Sequence, residues 1–259
     1  MTNAGNSIDW LRQSLNVVFA LAMPVTTWLT FSRGATVPKS ILTSPKDPPI
    51  VPATYAFSIW GLIYAAAIAY AIYQALPSQR DNALLRQIGF ATASAFFFTA
   101  LWLVLARAQL LWLTVACIFA ILVSLVPALL RVSVHTQAVS GAERWLIEMP
   151  VSIFAGWITV AAFANVAAAI QFSGWGAVGP GETGWSVILL ALAGVMALIL
   201  TFMSRGNVFY AATILWALIA ISVANMTKQK IPIMAGSALV LALLTLLMSA
   251  FRTLENRHG

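Results

Sequence analysis

Long, almost wholly apolar stretches alternate with short polar breaks along the whole chain. The apolar stretches run at about Trp10–Phe31, Pro52–Leu76, Gln87–Ala106, Leu110–Leu130, Trp145–Ile170, Gly184–Met203, Val208–Ala224 and Ile231–Phe251. A helix rises about 1.5 Å per residue, so ~20 apolar residues cross the ~30 Å of hydrocarbon in a bilayer. A backbone in lipid must satisfy its own N–H and C=O groups, and none of these stretches alternates like a barrel strand. The pattern therefore predicts an all-α, polytopic membrane helical bundle of about eight transmembrane helices.

The breaks support the same division. Ser32–Val51 carries Arg33, Lys39, Lys46 and Asp47 with Pro38, Pro45, Pro48 and Pro49, and it is the one substantial loop. Pro52 is expected in the first turn of the second helix, where its missing N–H costs little. Pro77–Asn82, Arg107-Ala108-Gln109 and Ser204-Arg205-Gly206-Asn207 read as tight turns, and Ser173–Gly184, with five glycines and Pro180, as a flexible one. The first stretch stays apolar beyond Ala20-Leu21-Ala22, so it reads as a span rather than a cleaved signal peptide. No stretch is left over for an appended soluble domain.

Composition agrees. Only 8% of the 259 residues are charged and 61% are hydrophobic, with a mean hydropathy of +0.91, whereas a soluble domain carries about 25% charged residues. The net charge of +7 comes from basic residues set singly between apolar runs. Without a basic stripe this excludes a nucleic-acid partner. With eight spans, Arg12, Arg80, Arg86, Arg131, Arg144, Arg205, Arg252 and Arg257 fall on the side of the termini, and Arg33, Lys39, Lys46, Arg107, Lys228 and Lys230 on the other. The small excess places the termini in the cytoplasm. With no evident organelle-targeting segment, a bacterial inner membrane is the expected location. Cys117 is a lone cysteine in an apolar run, which excludes an internal disulfide and a Cys-based metal site.

Catalytic chemistry is sparse. His135 and His258 belong to no metal-spacing motif, and no phosphate loop or Ser/His/Asp set is present. No catalytic or metal residue is assigned, and no cofactor is required. Glu148, just before Pro150, is the one acid near a span interior. It reads either as a proton-linked carboxylate or as an interfacial charge in the first turns of the helix. Asn165 lies deep in the fifth span and must face the bundle to find a partner, either as an interhelical clamp or inside a ligand cavity. Helical spacing puts Phe154, Ile158, Ala161 and Asn165 on one face, flanked by Trp157. Phe57, Trp60 and Tyr64 share a face of the second span. These rings suit either bundle packing or the walls around a flat, largely apolar ligand.

Three segments resemble the translocator protein family, also called tryptophan-rich sensory proteins or peripheral benzodiazepine receptor homologues. Pro48-Pro49 followed by Tyr55–Tyr64 is similar to the family's Pro-Pro loop and Trp-x-x-Leu-Tyr helix start. Phe98-Thr99-Ala100-Leu101-Trp102 is similar to its Asn-x-x-Trp signature, with Thr99 where the family has Asn. Gly156–Asn165 resembles its Trp-x-x-Phe-Ala-x-x-x-Asn run and keeps the Trp-to-Asn spacing; Pro150 stands seven residues before Trp157 rather than four, with Ile153 in the usual place of the proline. The resemblance implies a five-helix bundle over residues 1–171 and three additional transmembrane helices over 172–259. It also implies an intramembrane pocket for a tetrapyrrole (a porphyrin or haem precursor), a sterol-like lipid or an aromatic drug.

The ligand-binding set expected from spacing and resemblance together is Phe57, Trp60, Tyr64, Thr99, Trp102, Phe154, Trp157 and Asn165, with Glu148 as the proton-linked candidate. The expected function is a membrane receptor or carrier for a flat hydrophobic ligand. The alternatives are a secondary transporter of a small solute, a structural subunit of a membrane complex, and an enzyme that modifies its bound tetrapyrrole. Expected partners are membrane lipid, a hydrophobic small molecule, and either a second copy of the chain or a membrane-complex subunit. Trp216 and Asn225 loosely echo the Trp157/Asn165 spacing.

Overall fold

A computed structural model describes residues 2–32, 47–135 and 141–258. Among the described residues the chain forms eight long helices. They are α1 (Thr2–Ser32), α2 (Ile59–Ala75), α3 (Ala83–Arg107), α4 (Leu111–His135), α5 (Met149–Phe172), α6 (Gly181–Met203), α7 (Val208–Thr227) and α8 (Pro232–His258). Each covers one apolar stretch. The helices α2 to α8, with their leading turns, are long and apolar enough to cross a membrane. Side chains such as Trp28, Ile72 and Val123 point outward, as a lipid solvent allows.

Local chemistry sets the ends. Asn82 Oδ1 accepts the backbone N–H groups of Leu84 and Leu85 and caps α3, and Asn207 Oδ1 accepts that of Tyr210 and caps α7. Pro52 falls short of the helix, which opens instead with a 3-10 turn at Thr54–Ser58. The fifth apolar stretch opens with a helical turn at Gly141–Glu143 and a wide π turn at Arg144–Glu148. Pro150 explains the irregularity, because it offers no N–H to the preceding turn. Of the loop after α1, Arg33, Pro38, Lys39, Pro45 and Lys46 lie outside the described residues.

The helix α1 starts well before the predicted span and buries a polar seam against α2 and α3. The Arg12 guanidinium donates to Gln74 Oε1 and to the Leu85 carbonyl, both at 3.3 Å. The side-chain amides of Gln13 and Gln74 donate to each other's backbone carbonyls at 2.7 and 3.0 Å. Asn16 donates to the Gly89 carbonyl and accepts from Thr92, both at 2.7 Å. Gly89 leaves room for this seam, since a Cβ there would stand 2.6 Å from Arg12 Cδ.

The helix α5 is the centre of the molecule. It packs on α2, α4, α6 and α7, and every residue from Pro150 to Val160 is buried. Gly156 lets α7 come close, as a Cβ there would meet Thr213 Cβ at 2.8 Å and the Tyr210 carbonyl oxygen at 3.0 Å. The last helix, α8, lies against α6 and α7.

Candidate functional site

A cavity of about 90 Å³ opens between α2, α3, α4 and α5. Trp60 of α2, Thr99 and Trp102 of α3, and Trp157 and Asn165 of α5 line it, with Phe57 of the 3-10 turn. The structure thus brings six of the eight predicted ligand-binding residues to one void. The other two stand behind its wall. Tyr64 lies tilted against Trp60 with ring centroids 5.6 Å apart, and its hydroxyl is hydrogen-bonded to Thr27 Oγ1 at 2.8 Å. Phe154 meets Trp60 edge-on at 6.2 Å, stacks on Phe96, and faces a smaller neighbouring void.

The aromatic wall is built from edge-to-face contacts. Trp157 meets Phe57 at 5.7 Å and Trp60 at 6.4 Å, with ring planes at 81° and 82°. Such tilted pairs set the electron-poor edge of one ring against the face of another. The two tryptophans therefore form a fixed corner rather than a collapsed stack.

Polar groups in the cavity are few and mostly satisfied. Asn165 Oδ1 accepts from Trp102 Nε1 at 2.9 Å, and its Nδ2 donates to Thr114 Oγ1 at 3.1 Å. Asn165 is therefore an interhelical clamp joining α3, α4 and α5, and it also lines the void. Thr99 turns its hydroxyl back onto the Ala95 carbonyl at 2.7 Å. The exception is Trp157. Its side chain is 2% exposed, and its indole N–H has no hydrogen-bond partner among the described residues. A buried donor left unpaired costs about 1–3 kcal/mol, so a ligand acceptor that reached this N–H would recover that energy.

Sequence reasoning missed the strap that closes one end. Asp47, Val51 and Pro52 line the cavity there. The strap is held chiefly by α7. The Ala53 N–H donates to the Ala220 carbonyl at 3.0 Å, Trp216 Nε1 to the Ala56 carbonyl at 3.1 Å, and Asn225 Nδ2 to the Pro49 carbonyl at 2.7 Å. Lys228 lies 3.8 Å from the Asp47 carboxylate. Trp216 and Asn225, which from the sequence were only a loose echo of the Trp157/Asn165 spacing, are polar anchors of the strap. Thr114, which completes the Asn165 clamp, carried no sequence signal.

Glu148 lies elsewhere. It is buried where α4, α5 and the start of α7 meet, about 13 Å along α5 from Trp157 at the helical rise. It stands at the very start of the fifth helix, and its side chain makes no cap hydrogen bond there. No group of three or more His, Cys, Asp or Glu residues that could hold a metal ion is found among the described residues.

A family model described as "TSPO-like protein" matches residues 13–251, which takes in the last three helices as well as the first five. No curated protein and no solved structure matches the chain.

Proposed function

The chain belongs to the TSPO-like protein family and is an integral membrane helical bundle; from that premise we propose that it is a receptor or carrier for a flat, largely apolar ligand held between α2 and α5. The observation that carries the reading is the Trp60/Trp157 corner, with an unpaired, buried indole N–H, beside a cavity walled mostly by apolar side chains and by only four polar ones, Asp47, Thr99, Thr114 and Asn165. The ligand that fits this corner presents a ring face to Trp60 and a hydrogen-bond acceptor, such as a carbonyl or a ring nitrogen, to Trp157. Tetrapyrroles and aromatic amides both meet that description.

The cavity is smaller than the ~150 Å³ engineered void that holds one benzene ring. A tetrapyrrole therefore enters only as the walls part. The strap is the piece positioned to move, because it is joined to the bundle by single hydrogen bonds rather than by a helix ladder. Ligand binding and strap opening are then one event, and the protein rests closed.

Protoporphyrin titrated into the full chain in lipid nanodiscs, followed by tryptophan fluorescence, tests this. Saturable quenching is expected, weakened at least about tenfold in a Trp60→Ala/Trp157→Ala variant, the equivalent of ~1.4 kcal/mol. Quenching that never saturates, or that is unchanged in the double variant, overturns the proposal.

A further inference from the structure

Outside the ligand cavity, four elements converge on one buried carboxyl group. Glu148 closes the π turn before α5 and is 7% exposed. Its Oε1 accepts from Asn207 Nδ2 at 3.1 Å. The same amide nitrogen lies 3.0 Å from Ser133 Oγ of α4 and 3.0 Å from Ser152 Oγ of α5. The second carboxyl oxygen, Oε2, is sealed from solvent and has no hydrogen-bond partner among the described residues.

The orientation of Asn207 decides what this cage can hold. Its Oδ1 accepts the Tyr210 N–H at 3.0 Å as the cap of α7, so its amide hydrogens must face the cage. They fill the point on which the three oxygens converge, where a metal ion would otherwise sit. A proton on Oε2 needs no such space. An ionised carboxylate here would be buried without an ion-pair partner among the described residues, which is far costlier than burying a neutral carboxyl group.

The surrounding charges do not supply that partner. Arg144, one turn earlier, attracts Glu148 from a distance while its guanidinium lies over the Phe209 ring at 5.8 Å. On α4, Arg131 donates to the Gln87 carbonyl and His135 is exposed. On α7, the Tyr210 hydroxyl donates to Thr159 at 3.1 Å. Arg205 lies in the turn before Asn207, and Tyr73 of α2 and Glu143 of the leading turn interact with each other.

We propose that Glu148 is a proton-binding site set in the seam between α5 and α7, its Oε2 taking a proton from water and returning it when that seam opens. Losing the proton places a bare charge against the cap of α7. That helix carries Trp216, Ala220 and Asn225, which hold the strap. The site therefore links protonation to how firmly the strap is held; the further link to ligand access rests on the reading of the cavity given above.

Infrared difference spectroscopy of the full chain in nanodiscs, without ligand, between acidic and alkaline buffer tests the site independently of that reading. The expected result is a carboxylic-acid C=O band of one carboxyl per chain that is absent in Glu148→Gln. If Glu148→Gln is not recovered folded, Ser152→Ala, which keeps the carboxyl but removes a wall of its cage, is expected to shift the band. No such band in the wild type, or a band unchanged in Glu148→Gln or, failing that variant, in Ser152→Ala, overturns the proposal.

Discussion

Single side chains in this bundle do two jobs at once, and substitutions can separate them. Asn165 clamps three helices and lines the cavity, so Asn165→Leu, which keeps the branched shape but not the hydrogen bonds, should lower stability by about 1–2 kcal/mol, the upper range for interhelical hydrogen bonds in membranes. Thermal unfolding in mild detergent measures this. Trp157→Phe acts oppositely: it removes an unpaired donor while keeping a ring at the corner. Stability should hold or rise slightly, while affinity for a carbonyl-bearing aromatic ligand falls about tenfold, the worth of one hydrogen bond. Unchanged affinity would mean that the ligand's acceptor lies elsewhere. At this scale the sequence was informative where chemistry is rare. An amide or an indole in a long apolar run tends to face a partner, which is why Trp102 and Asn165 were legible. Thr114, Ser133, Ser152 and Asn207 were not, because a hydroxyl on a helix can bond its own backbone and a turn asparagine can simply cap. Their neighbours depend on which helices meet, and no local pattern encodes that.

Between helices, contact is governed by small residues and by the α1 seam. Gly156→Ala forces a Cβ into Thr213 and the Tyr210 backbone, so it should cost about 1–3 kcal/mol by overpacking and loosen α5 from α7. Gly61→Ala is the natural control. Nothing stands within 4 Å of its added Cβ, so removing glycine from the helix should gain about 0.5–1 kcal/mol. Thermal unfolding of the two variants side by side checks both signs. The seam of α1 predicts a pH effect. Asp9, just outside the apolar stretch, accepts from Arg86 at 3.1 and 2.6 Å. Hydrogen bonding to Arg86 holds its carboxyl below the ordinary value of 3.8. A lowered folded-state value means the contribution is complete above that ordinary value and is lost as the pH falls through the folded one. Stability measured from neutral pH downward should therefore drop below about pH 4, and drop less in Asp9→Asn. The eight helices could be read from run length alone, because lipid imposes a length and forbids other backbones. The early start of α1 could not, since Thr2–Asp9 looks like a polar flank until the partner of Asp9 on α3 is known.

Across the whole molecule, one of the three C-terminal helices, α7, is joined to the wall of the cavity by more than packing. The α7 helix reaches the strap at one end and the Glu148 cage at the other, so on the proposal above the later part of the chain would control opening of the earlier part. Neither Asn225 nor Trp216 lines the cavity, yet Asn225→Ala and Trp216→Phe should both speed exchange of the strap amides in hydrogen–deuterium exchange and raise ligand on- and off-rates together. Rates that stay at wild-type values would show that the strap does not gate the cavity. The burial of α5 on every side also bears on how the protein is made. As the ribosome works from the N-terminus, α5 emerges before α6 and α7 exist, and Ser152, Thr159 and Glu148 then have no Asn207 or Tyr210 to meet. The nascent helix must wait beside the insertion machinery rather than drift into lipid. Chains stalled just short of α7 should cross-link to that machinery through α5, and slightly longer chains should let go.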